Sequence, residues 1–266
     1  MSDLLKFGIG NSKLGSHILT FSLPAGYACP FAKECHSRAD KLTGKIIDGE
    51  HCRFRCYSAS QEILYPSVRK QRWHNFDLLR NTKGKSNKLT NLIANSIKED
   101  LNIIRVHVSG DFYSESYFIA WLNIALNNPN KIFYGYTKAL PYLIKYKSDI
   151  PDNFRFVASK GGTHDHLIYR HGLRFAEVVF SLEDAKDKGL LIDHDDSLAI
   201  YGNDSFALLL HSTQPAGSDA AKALSKLRKL NIGGYSNKNK NKPKTIISVP
   251  IIKIKSKHNK KHFIID

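Results

Sequence analysis

Four cysteines are the residues best equipped for chemistry: Cys29, Cys35, Cys52 and Cys56, spaced C-x5-C-x16-C-x3-C near the front of a 266-residue chain that has no others. Random scatter rarely confines every cysteine to so short a stretch. Two disulfides would need an oxidising compartment. The N-terminus, MSDLLKFGIGNSK, lacks the basic segment followed by an apolar one that marks secretion. Zinc takes four thiolates tetrahedrally but favours two to four intervening residues in each pair, and Cys29 and Cys35 are separated by five. A four-iron, four-sulfur (4Fe-4S) cluster ligated by four cysteines accommodates irregular spacing. It is the expected cofactor, with zinc as the alternative. Four inert buried thiols are the plainer reading. Arg38, His51, Arg53 and Arg55 place cations around the set, which favours thiolates.

A second group of polar residues recurs where apolar runs end: Ser109-Gly110-Asp111, Thr137-Lys138, Ser159-Lys160, Ser181 and His211-Ser212-Thr213. Taken singly, each is a helix cap or turn former. Their recurrence after five expected strands points to a site, because parallel α/β folds carry their chemistry at the carboxyl ends of strands. Asp111, Lys138, Lys160 and His211 are the catalytic candidates. Thr163-His164-Asp165-His166 and Asp193-His194-Asp195-Asp196 offer further donors and read first as solvated loops. Convergence of His107, Asp111, His164, His166, His194, Asp195 and His211 would suggest a divalent-metal phosphodiesterase or nuclease. Gly-rich phosphate loops are absent.

These residues need elements to position them. Strands are expected at residues 16–23, 103–108, 131–136, 153–158, 176–180 and 205–210, and a hairpin around Asp48-Gly49. Helices are expected at residues 57–65, 67–80, 87–100, 182–188 and 218–230, with one running from Ser114 as N-cap to Leu126. The alternation predicts an α/β fold with a mostly parallel sheet. Five or six βα units after Leu101 suit an incomplete or irregular barrel better than a closed eight-unit one. A single domain is expected over 1–232, including an irregular cysteine-bearing subregion at 21–66, and a basic arm over 233–266.

Lys and Arg number 40 against 24 Asp and Glu, a net charge of +16, and 42% of residues are hydrophobic. That balance excludes a disordered chain and favours a polyanionic partner, most simply nucleic acid. Nine lysines and no acid lie between Lys238 and Lys261. No apolar run approaches a membrane span, so no membrane partner is expected. The expected location is intracellular, and not secreted.

The stretches FSLPAGYACPFAKEC, DGEHCRFRCYSASQE, YPSVRKQRWHN, VHVSGDFYSESYF and FYGYTKALP, followed by ASKGG, IDHDDSLA and STQPAGS, resemble the phage gene-product-88 family. The resemblance runs from about Phe21 to about Leu230. It implies a virus or mobile element as the source and a shared metal centre on Cys29, Cys35, Cys52 and Cys56, without naming the metal. A looser similarity is to radical S-adenosylmethionine enzymes, which hold a cluster near the strand ends of a partial barrel. Their C-x3-C-x2-C pattern is broken here, since Ala59 stands where the third cysteine belongs. The expectation is therefore an iron–sulfur protein associated with nucleic acid, its cluster structural or redox-active. The alternatives are a metal-dependent or radical-type enzyme acting at the strand ends, or a zinc-stabilised nucleic-acid-binding protein.

Overall fold

The computed structural model describes residues 3–11, 13–82 and 86–232; the basic arm lies outside the described residues. The β-branched and aromatic runs pair as strands. In chain order these are β1 (Gly8–Ile9), β2 (Ile18–Ser22), β3 (Ser37–Ala39), β4 (Ile46–Asp48), β5 (Ile103–Ser109), β6 (Ile132–Thr137), β7 (Phe154–Ser159), β8 (Phe175–Val179), β9 (Leu191–Ile192) and β10 (Phe206–Leu209). Eight of them form one sheet in the order β1-β2-β5-β6-β7-β8-β10-β9, parallel throughout except at β1. The sheet is open, as an incomplete barrel requires.

The helices are α1 (Tyr57–Leu64), α2 (Pro66–Asn81), α3 (Ser86–Ser96), α4 (Glu115–Leu126), α5 (Leu140–Lys145), α6 (His166–Arg170), α7 (Leu182–Asp187), α8 (Ser197–Tyr201) and α9 (Asp219–Lys229). Six βα units follow Leu101. Helix α4 is apolar on most of its surface and fills the outer layer, where Tyr117, Phe118 and Trp121 are wholly buried beside Phe21 and Phe112. On the other face of the sheet, Ile18, Ile103, Tyr134, Val157 and Phe206 form a second core, closed by Ala199 and Ile200 of α8. Strands β5 and β6 approach so closely that a Cβ on Gly135 would collide with the Val106 carbonyl oxygen.

Two local expectations are corrected. The hairpin exists as β3–β4, but its turn is at Asp40–Lys45 and not at Asp48-Gly49. The Asp40 carboxylate accepts from the amides of Leu42 and Thr43 and from the Thr43 hydroxyl, an Asx turn that outcompetes the Asp-Gly signal. Simple alternation also fails in β5. Val106 and His107, joined by a cis peptide, both pack in the α4 layer, and only Val108 returns to the other core.

The chain between β2 and α1 carries the cysteines and is laid across the carboxyl ends of the parallel strands. Asp111 N donates to Ala28 O at the end of β5, and Lys33 N and Glu34 N both donate to Gly161 O beyond β7. Thr163 N donates to Phe31 O. After β10, Gln214 exchanges hydrogen bonds with the backbone of Arg55. Few of these contacts lie within regular secondary structure, so the strand ends themselves fix the shape of this segment.

Candidate functional site

A cavity of about 170 Å³ opens between the cysteine segment and the strand ends. Cys29, Cys35 and Cys56 line it, together with Asp111, Lys138 and His211. Cys52 does not line it. Its sulfur lies 3.2 Å from Ser37 Oγ and donates to Phe54 O at 3.1 Å. The Ser37 hydroxyl also accepts from Cys56 N, so one serine links the last two cysteines.

The four sulfurs nonetheless share one neighbourhood. Burial pushes the Cys29 thiol well above its ordinary value, and the proximity of Asp111, Cys56 and Cys35 adds to that. Burial, with Cys35 alongside, pushes Cys56 up to about 11. Burial also raises Cys52, which again feels Cys35. Cys35 thus adds to the rise at each of the other three. Packed thiols of this kind stay protonated unless a cation offsets their mutual repulsion. Their chemistry suits a soft metal centre. Among the described residues, no group of three or more His, Cys, Asp or Glu side chains is drawn tightly enough together to hold a metal ion.

The remaining candidates separate. Asp111 is buried and its carboxylate accepts from Thr137 Oγ1 at 2.6 Å, Lys138 N at 2.7 Å and Phe112 N at 2.8 Å. Burial raises its pKa despite those donors. It ties the end of β5 to the end of β6. Lys138 spends its ammonium on Ser159 O, Ser159 Oγ and Lys160 O, all within 2.9 Å. His211 faces the Tyr57 ring, and its pKa is lowered to about 4 by burial and by the charges of Lys13 and Arg105. Lys160 lies outside the cavity, paired with Glu177, which also holds Lys188.

His107 also lines the cavity, whereas His164, His166, His194 and Asp195 do not, so the donor set expected for a nuclease does not assemble. Thr163–His166 is a polar turn, its Asp165 accepting from the amides of Gly161 and Gly162. The second histidine–aspartate segment departs from the expected solvated loop, because Asp193 and Asp196 are buried. Asp196, in the left-handed region at φ 65°, accepts from Arg105 Nη1 at 2.6 Å and Tyr134 Oη at 3.0 Å, and pairs with Lys13 at 2.5 Å. Burial opposes its ionisation, but Arg105 and Lys13 outweigh that and hold its pKa below the usual range. Sequence reasoning missed Arg105, which sits under the cavity with its guanidinium over the Tyr136 ring. A cation inside the apolar run IIRVHV was the available signal, since a buried arginine demands a partner.

The family model described as Gene product 88 matches residues 3–228. The chain belongs to the gene product 88 family. A curated phage relative, the Gene 88 protein of Mycobacterium phage L5, is 29% identical over 131 residues, covering 41% of this chain and 55% of the relative. The chain therefore spans about half the length of the curated relative it matches. No solved structure matches it. The whole cavity lining of this gene product 88 protein falls within the matched residues. Among the described residues, no helix is long and apolar enough to cross a membrane.

Proposed function

We propose that the protein is an iron–sulfur enzyme whose 4Fe-4S cluster is held by Cys29, Cys35 and Cys56 at the rim of the cavity over the strand ends. One observation carries the reading: three of the four cysteines line that cavity and Cys52 is engaged elsewhere. A single zinc needs every sulfur about 2.3 Å from one point. A four-iron body spreads its ligands more widely, which suits thiols distributed around a rim. Three protein thiolates would leave one iron open toward the cavity, which favours an enzyme over a purely structural centre. When bound, the cluster supplies one-electron chemistry. The chain supplies a shaped cavity, with His211 neutral at pH 7 and Asp111 fixing its wall.

The test is anaerobic reconstitution followed by iron, sulfide and zinc analysis of four single Cys→Ser variants. C29S, C35S and C56S are expected to lose most of the iron and sulfide, and C52S to retain them. Equal loss in all four would indicate a closed centre on four cysteines. One zinc and no sulfide in the wild-type protein would overturn the iron–sulfur reading.

Charge favours a second and separate property, association with nucleic acid. The 233–266 segment carries nine lysines against one acid, Asp266, and so supplies half of the net charge of +16.

A further inference from the structure

Three cationic side chains line the cavity, and they differ in what their donors do. Lys138 directs its ammonium at Ser159 and the Lys160 carbonyl. Arg55 places Nε and Nη2 on the Asp48 carboxylate. Arg105 is 8% exposed and gives Nη1 to Asp196, while its Nε is buried with no partner among the described residues. A buried charged donor left unmade costs free energy. The Nε–Nη2 edge is also the side of a guanidinium that matches the two oxygens of a carboxylate.

We propose that the cavity takes a small organic carboxylate, received on the Nε–Nη2 edge of Arg105. Asp196 is the positioning residue, fixing the guanidinium through Nη1 while Nε is left without a protein partner among the described residues. The walls set the rest of the ligand's character: Val108, Val178, Leu208 and Tyr136 are apolar or aromatic. At about 170 Å³ the space falls below the several hundred Å³ of drug-sized sites. A phosphate dianion would ask for more donors than one guanidinium edge, and the neighbouring cations are committed. The inference rests on the cavity being the site, not on which metal stands at its rim.

The experiment is titration of the full-length protein, purified anaerobically with iron and sulfide measured on the same sample. The probes are sodium butyrate, butyramide and inorganic phosphate, followed by ligand-observed nuclear magnetic resonance. Butyrate is expected to bind saturably, and butyramide and phosphate at least about tenfold more weakly, the scale of one charge-assisted contact. R105K keeps the charge facing Asp196 but loses the fork, and is expected to weaken butyrate about tenfold. The comparison of butyrate with butyramide on the wild-type protein decides the matter even if R105K does not fold. No saturable butyrate binding, equal binding of butyramide, tighter binding of phosphate, or a folded R105K with undiminished affinity would each overturn the proposal. Failure of the cluster reading shows separately, as missing iron and sulfide.

Discussion

His107 shows how one buried group couples folding to pH. Its ring sits among Phe21, Phe112, Tyr117 and Trp121, and Nε2 lies 2.8 Å from the Tyr117 hydroxyl. Burial lowers its pKa from 6.5 to about 3. The unfolded chain therefore takes up a proton that the folded chain refuses. The stability tied to this histidine is fully present above pH 6.5, and it is lost as pH falls from there toward about 3. Well inside that window the loss approaches about 1.4 kcal/mol per pH unit. Urea midpoints at pH 7, 6 and 5 should fall steadily, and H107Q should fall less steeply; parallel curves for the two proteins would refute the assignment. Asp196 acts in the opposite sense to a neutral buried group, because it is held ionised by Arg105 and Lys13. D196A is expected to cost about 3–5 kcal/mol, since it strands a buried arginine. D196N, which tolerates the left-handed backbone, should cost less. Equal loss in both variants would mean that charge pairing, not the backbone, dominates there.

The elements divide by how local their signals are. The strands at residues 131–136 and 153–158 were legible to within a residue, because β-branched and aromatic runs end in turn residues. The helix from Glu115 to Leu126 was equally legible, since Ser114 caps it by accepting from Tyr117 N. The two-residue strands β1 and β9 left no such trace; they exist only because a neighbour offers an edge. The candidate site was half legible. The cysteine confinement and the polar strand ends pointed to one place, and the cavity brings together Cys29, Cys35, Cys56, Asp111, Lys138 and His211. That Cys52 would be engaged by Ser37 depends on the folding of the hairpin, and spacing does not encode it. Gly135 is the sharpest demand at this scale. Any side chain there must push β6 away from the Val106 carbonyl, at the strand pair that carries Arg105 and Thr137. G135A is expected to destabilise the fold by about 3 kcal/mol, read as a shift in the chemical unfolding midpoint. A change under about 0.5 kcal/mol, the range of surface substitutions, would show that the strands separate easily.

At the scale of the whole molecule, the cavity and the densest run of positive charge occupy different parts of the chain. The cavity and its cysteines lie within the residues matched to the gene product 88 family, 3–228. The densest run of lysine, Lys238 to Lys261, lies beyond them. If the body houses the reaction and the lysine run recruits a polyanion, the two properties should be separable. Duplex DNA binding driven by lysine–phosphate pairing weakens with salt, and the logarithmic slope changes by about 0.9 for each phosphate that is no longer neutralised. Replacing Lys238, Lys240, Lys242 and Lys244 together by glutamine should flatten that slope. The iron and sulfide content and the butyrate affinity should stay at their wild-type values. Titrating a fluorescent duplex from about 50 to 200 mM salt, the range over which such pairing dominates, measures the slope directly. An unchanged slope would place the polyanion-binding surface on the body of the fold, and loss of the cluster in the same variant would show that the two properties are not separable.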